Sequence, residues 1–143
     1  MSELRTAVSN DSILRDCLDA FPEVVFAVTG RCMTPDLTEG QRVSVVSPRR
    51  RRPRMGDVVL TRSDGTLRLH RLVWGPLFAR QTVGWRTKAD QASLFDPRLA
   101  AEDILGTVVA VEGQPYERRP DRALLSLARA VFTRLRLAGS SFR

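Results

Sequence analysis

The sequence is poor in the residues that build metal sites and disulfide frameworks. Its 143 residues include one histidine, His70, and two cysteines, Cys17 and Cys32. Two cysteines are too few for a disulfide scaffold and fit a reducing compartment, although one bridge between them is allowed. A tetrahedral zinc site would lack most of its usual ligands. We therefore expect no metal catalysis and no cofactor.

Long apolar runs are lacking as well. No stretch approaches the roughly 18 uninterrupted apolar residues that a membrane span needs, and the first residues do not resemble a secretory signal. We therefore expect a cytoplasmic location, with peripheral attachment to a membrane left open. A hydrophobic fraction of 43% beside 27% charged residues indicates one folded domain rather than a disordered chain.

Lysine is nearly absent, because Lys88 is the only one and every other cationic side chain is arginine. The formal net charge of +7 predicts a surface that attracts phosphates, anionic lipid head groups or acidic peptides. A proline-bracketed basic segment, Ser47 to Arg54, is interpreted as a solvated hairpin connection. Nucleic acid is not the expected partner.

The hydrophobic pattern predicts a mainly β domain with one helix before it and one after it. Apolar residues recur at three- and four-residue spacing from Asp11 to Phe21, which is typical of a short amphipathic helix, and Pro22 ends it. Short apolar or β-branched runs between turn signals predict strands at Val24 to Thr29, Val43 to Val46, Val58 to Leu60, Leu67 to Val73, Gln81 to Trp85 and Ile104 to Val111. The chain thus divides into a helical segment 1–22, a β domain 23–115 and a C-terminal segment 116–143.

In the C-terminal segment, the spacing of apolar residues and arginines predicts a basic amphipathic helix from Asp121 to about Leu137. Its larger apolar residues fall mostly on one side, and its arginines mostly on the other. Two interpretations stay open: the apolar side packs against the β domain, or it binds a membrane surface or a protein partner.

The segment after the first predicted strand reads Gly30-Arg31-Cys32-Met33-Thr34-Pro35-Asp36-Leu37-Thr38-Glu39-Gly40. It resembles the first motif of the type I signal peptidases, Gly-x-Ser-Met-x-Pro-x-Leu-x-x-Gly, with Cys32 at the position of the nucleophilic serine. A glycine there allows a tight turn and a close approach of substrate, and Pro35 stiffens the exit. The resemblance implies that Gly30, Met33 and Pro35 contact the substrate beside Cys32.

Further segments resemble the later motifs of the same family, in the same order. They are Gly56-Asp57-Val58-Val59, His70-Arg71, Thr87-Lys88-Ala89-Asp90 with Asp96 after it, and Ile104-Leu105-Gly106-Thr107-Val108. The pair His70-Arg71 and its spacing from Cys32 and from the two aspartates resemble the endoplasmic-reticulum-type branch, whose base is histidine. Lys88 then matches a family lysine that is not the base.

The implied chemistry suits a cysteine, because a neighbouring imidazole can lower a thiol pKa toward a reactive thiolate at neutral pH. His70 would take the thiol proton and later protonate the leaving amine. A carboxylate would fix its tautomer, with Asp90 as the first choice and Asp96 as the second. The backbone N–H of Cys32 would supply one oxyanion donor.

The resemblance implies the mainly β, partly open barrel fold of signal peptidases and SOS-repressor peptidases, here with an N-terminal and a C-terminal helix. The implied function is endopeptidase cleavage of an extended segment of a peptide or protein substrate. Departures from the family pattern, Gln41, Ala89 and Gln91, keep a non-catalytic peptide-binding relative as an alternative. A repressor-type transcriptional regulator is a weaker alternative, because few residues precede Gly30 and those proteins use a lysine base.

Overall fold

The computed structural model describes residues 12–63, 65–75 and 83–140. A helix, α1, covers residues 12–20, and the longer helix α2 covers Pro120–Ser140. The strands are β1 Val24–Ala27, β2 Arg42–Val46, β3 Val58–Ser63, β4 Thr66–Trp74, β5 Val83–Lys88, β6 Leu99–Ala100, β7 Ile104–Val111 and β8 Gln114–Pro115, and a 3-10 helix covers Ala101–Asp103.

The strands form one antiparallel sheet in the order β1-β2-β7-β3-β4-β5-β6, with β8 paired to β7. Within the described ranges β1 and β6 do not pair with each other, so the sheet is not closed. The prediction of a mainly β protein with a helix at each end is confirmed.

Most predicted strands agree with the observed ones. The last, Ile104–Val111, has the predicted bounds, and β4 extends the predicted run by one residue at each end. β5 runs from Val83 to Lys88 and so extends past the predicted end at Trp85, whereas the predicted Gln81 and Thr82 lie outside the described residues. β6 and β8 were not predicted, because two residues carry no readable period.

Both faces of the sheet are buried, as β3 shows. Val58 and Leu60 belong to one hydrophobic cluster, whereas Val59 belongs to another, because successive strand residues point to opposite faces. The first cluster includes Leu18 of α1 and Met33 and Leu37 of the segment after β1; the second includes Leu72, Trp85, Leu99 and Ile104. The segment that carries Cys32 is therefore anchored in the core by its own neighbours.

Helix α2 packs on the β domain through small side chains. Ala123, Ser126 and Ala130 are buried, whereas Val131 and Leu135 are 47% and 66% exposed. Of the two interpretations left open for the large apolar side, packing against the β domain is therefore wrong. Close approach is possible where α2 begins, since a Cβ on Gly56 would lie only 2.6 Å from the backbone nitrogen of Pro120.

Candidate active site

A pocket of about 410 Å³ brings together the two residues predicted to do the chemistry. Cys32 and His70 both line it, together with Gly30 and Met33. The other lining residues come from the end of β1 and the residues after it, from β3 and from β4; they are Phe26, Ala27, Val28, Thr29, Leu60, Leu67, Arg68 and Leu69. Pro35, the third predicted substrate contact, is exposed and lies outside this lining.

Cys32 is held in a tight turn. Gly30 has a φ of +78°, in the left-handed region that favours glycine. The amide of Thr34 donates to the carbonyl of Arg31 at 3.1 Å, so Cys32 lies inside that turn, and a second turn follows in which the amide of Leu37 donates to the carbonyl of Met33 at 2.9 Å. The side chain of Cys32 is exposed, and its backbone N–H donates to no acceptor among the described residues. Its expected role as a donor to an oxyanion stays a prediction.

His70 is oriented by Asp96. The Oδ2 atom of Asp96 lies 2.5 Å from Nδ1 of His70 and accepts a second hydrogen bond from Oγ1 of Thr87 at 2.7 Å. A neutral imidazole that donates its Nδ1 proton to this carboxylate has its lone pair on Nε2, which is the nitrogen that can then act as a base. Burial alone would raise the pKa of Asp96, but the hydrogen bond and charge of His70 outweigh it, so the pKa lies below its ordinary value.

Asp90, the first choice for this carboxylate, has a different partner. Its two oxygens accept hydrogen bonds from Nε and Nη2 of Arg71 at 2.9 and 2.8 Å. Preferring Asp90 for the orienting role was therefore wrong, because the neighbouring arginine is a bidentate partner and His70 points to the opposite face of β4. Asp96, the second choice, is the residue that contacts the imidazole.

Arg71 is fully buried and donates hydrogen bonds to several residues close to the turn that carries Cys32. Besides Asp90 it donates to Asp36 at 2.7 Å and to the carbonyl of Gly56 at 2.9 Å. Tyr116 lies 3.3 Å away and also contacts Asp36. Burial would lower the pKa of Arg71, but the hydrogen bonds that Arg71 donates to Asp90 and Tyr116, and the charges of these two groups, raise it above its ordinary value. The arginine therefore stays charged and ties Asp36, four residues from Cys32, to β4.

Gln91 is a site residue that the sequence reasoning missed. Its backbone amide donates to the carbonyl of Cys32 at 3.0 Å, and its side-chain Nε2 donates to the carbonyl of Thr34 at 2.5 Å. The segment after β5 thereby holds the turn that carries Cys32 in place. Gln91 was noticed in the sequence, but only as a departure from the family motif.

Lys88 is buried under α2, away from the pocket. Its Nζ donates to Oγ of Ser126 at 2.8 Å and to the carbonyl of Ala89 at 3.1 Å. Burial and the charge of Arg129 hold the pKa of Lys88 below its ordinary value, against the opposing charges of Asp90 and Asp96. Its partners are structural, and it does not line the pocket with Cys32.

Cys32 and His70 share a pocket without a hydrogen bond between them. Over residues 12–63, 65–75 and 83–140, no such bond joins Sγ of Cys32 to a ring nitrogen of His70. Nucleophile and base are often farther apart in an empty site than in a substrate complex. Cys17 is half-buried, and both cysteines are free thiols.

Comparison with known proteins adds no assignment: no protein-family model matches the chain, and no curated protein matches it significantly. In the described part of the chain, no three side chains of the types histidine, cysteine, aspartate and glutamate are grouped as metal ligands would be. The described helices also include none that is long and apolar enough to cross a membrane.

Proposed function

We propose that the protein is a peptidase in which Cys32 is the nucleophile and His70, oriented by Asp96, is the base. One observation carries the proposal: the imidazole bonded to Asp96 lies in the wall of the pocket that Cys32 lines. A carboxylate on one side of a histidine and a thiol-lined cavity on the other form the arrangement that nucleophilic acyl transfer needs. Resemblance to the signal peptidase superfamily supports the choice of a peptide bond as the target.

The proposed reaction starts with transfer of the Cys32 proton to Nε2 of His70 as the sulfur attacks the scissile carbonyl carbon. The carbonyl oxygen becomes an oxyanion, which the N–H of Cys32 can stabilise. The C–N bond then breaks, the amine leaves with the proton from His70, and a thioester remains on Cys32. Water deprotonated by His70 attacks that thioester and releases the new carboxyl end and the free thiol.

The pocket favours an extended segment with apolar residues. Phe26, Val28 and Leu60 line it, and β1 is an edge strand of the described sheet, so its outer side can pair with a peptide backbone. Main-chain pairing would then give affinity, and the apolar pocket would select the side chains next to the cut bond.

The test is cleavage of a mixture of unstructured synthetic peptides, with products identified by mass spectrometry. Wild-type protein is expected to cut a subset, whereas Cys32→Ala and His70→Ala lose about 10³-fold or more of the rate. Cys17→Ala is the matched control and keeps the wild-type rate. A Cys32→Ala variant that cuts at the wild-type rate contradicts the proposal.

A non-catalytic peptide-binding protein is the second candidate, because it needs the pocket but not the Cys32–His70 hydrogen bond, which is missing among the described residues. In that case wild-type and Cys32→Ala proteins retain peptides equally well in an equilibrium binding measurement. Neither of them cuts the bound peptides.

A further inference from the structure

Helix α2 has three distinct faces. At 3.6 residues per turn, Ala123, Ser126 and Ala130 fall on one side, and this is the side buried against the β domain. The five large apolar residues of the opposite side cover an arc of about 120°. They are Leu124, Leu125, Val131, Phe132 and Leu135, and each is exposed. The helix therefore packs mainly by its small side chains and presents these five large ones outward.

A row of arginines borders this apolar arc. Arg122, Arg129 and Arg136 recur every seven residues and so lie along one line of the helix. The guanidinium of Arg136 lies over the ring of Phe132, with Cζ 4.8 Å from the ring centroid. Phe132 is thereby covered on one side by a cation whose apolar stem runs along the edge of the arc.

We propose that α2 attaches the protein to the surface of a membrane that contains anionic lipid. A helix with an outward apolar arc and a flanking cationic row lies in the plane of the interface, with its aromatic and aliphatic side chains below the head groups. The arginines then reach anionic head groups, where each contributes about fivefold in affinity. The helix attaches to the membrane without crossing it, since it is not apolar enough to span a bilayer.

Charge selects lipid over a second copy of the chain. Helix α2 carries four arginines but only one acidic residue, Asp121 at its start. Two copies packed by their apolar arcs would bring rows of like charge together, which is unfavourable. The net charge of +7 acts in the same direction by drawing the whole protein toward an anionic surface.

The decisive measurement is co-sedimentation of the full chain with vesicles of phosphatidylcholine, with and without phosphatidylglycerol. The protein is expected to sediment with the anionic vesicles at low salt, and binding is expected to weaken at high salt because of screening. Phe132→Ser with Leu135→Gln should abolish sedimentation. Arg129→Gln with Arg136→Gln should weaken it by about 25-fold.

The chain offers matched controls. Phe21 is as exposed as Phe132, at 57% against 58%, so Phe21→Ser removes an equal apolar side chain elsewhere. Arg50→Gln with Arg52→Gln removes two positive charges, as the α2 arginine pair does, but from the basic segment Ser47 to Arg54. If these controls lose binding as much as the α2 variants do, or if wild-type protein ignores anionic vesicles, the proposal is overturned.

Two further outcomes also overturn the proposal as stated. Equal sedimentation with neutral and anionic vesicles would show that anionic lipid is not selected and that the arginine row has no role. A wild-type dimer in solution that Phe132→Ser converts to a monomer, without vesicle binding, would assign the arc to a second copy. Circular dichroism establishes that each variant is folded, and the arginine pair decides the matter alone if Phe132→Ser with Leu135→Gln does not fold.

Discussion

Asp96 and His70 are joined through Oδ2 and Nδ1 at 2.5 Å, although they lie on different elements and 26 residues apart. Near the end of β5, the hydroxyl of Thr87 donates a hydrogen bond to the same carboxylate oxygen. The backbone carbonyl of Thr87 also accepts a hydrogen bond from the backbone amide of Asp96 at 3.0 Å. Both the side chain and the backbone of Asp96 are thus held by Thr87, independently of the contact with the imidazole. This relationship distinguishes the two aspartates of the site and makes their roles separable by experiment.

Asp96→Asn and Asp90→Asn should fail in different ways. Asp96→Asn replaces the acceptor that fixes the His70 tautomer, so turnover in the proposed reaction is expected to fall about 10³-fold. Asp90→Asn replaces one of the two carboxylates that pair with the buried Arg71 by a neutral amide, and is expected to cost about 2 kcal/mol of unfolding free energy. Peptide cleavage and urea denaturation of both variants check this, and equal effects of the two changes on turnover would contradict it.

Cys32 should react with iodoacetamide much faster than Cys17. Its side chain is exposed in a pocket that also contains a basic imidazole, whereas Cys17 is half-buried on α1. Limited labelling followed by peptide mapping should find the adduct on Cys32, and His70→Ala should slow its formation at neutral pH. Equal labelling of the two thiols would remove the argument for an activated Cys32.

Gln91→Ala should lower turnover more than stability. The change removes the side-chain hydrogen bond to Thr34 and loosens the turn that positions Cys32. The unfolding free energy is expected to fall by only about 1 kcal/mol, whereas turnover should fall about tenfold. Gln41→Ala is the control, because it removes a similar bond from the amide of Thr38 at 2.8 Å but leaves the contacts of Cys32 and Thr34 with Gln91 intact. A Gln41→Ala variant that slows as much as Gln91→Ala would contradict a specific role for Gln91.

Lys88→Met should change how stability depends on alkaline pH. The pKa of Lys88 is lowered in the folded protein from its ordinary 10.5, mainly by burial and by Arg129. Between the folded and the unfolded pKa, the unfolded chain binds more protons, so this group makes stability rise with pH in the window below 10.5. Urea denaturation across that window should show the rise in wild-type protein and its loss in Lys88→Met. The Ser126→Ala variant, which keeps the lysine, should retain the rise.

The sequence predicted the strands of the sheet well because they are strongly patterned. Ile104–Val111 was found with its bounds, since eight apolar or small residues in a row leave little choice. The side-chain pairings of the site were harder. Arg71 and His70 are adjacent in the chain but point to opposite faces, so spacing alone could not decide which aspartate meets which. Only the fold places Asp90 on one face and Asp96 on the other.

The packing face of α2 illustrates a second limit. Periodicity identifies an apolar stripe but does not say what covers it, and the usual assumption is that a domain buries it. Here Ala123 and Ala130 allow a closer approach to the sheet than leucines would, and Gly56 leaves room for the start of the helix. The row of small residues on the other side of the helix was the feature of the sequence that could have predicted the buried face.

The hydrogen bonds of Arg71 also indicate at which stage of folding the site forms. Its partners Asp36, Asp90 and Tyr116 lie 35, 19 and 45 residues away along the chain, so their meeting requires the sheet to be assembled first. We therefore expect the turn that carries Cys32 to become ordered late in folding. In the proposed peptidase, cleavage would then have to wait until Tyr116, 45 residues after Arg71, has reached its contact with the arginine.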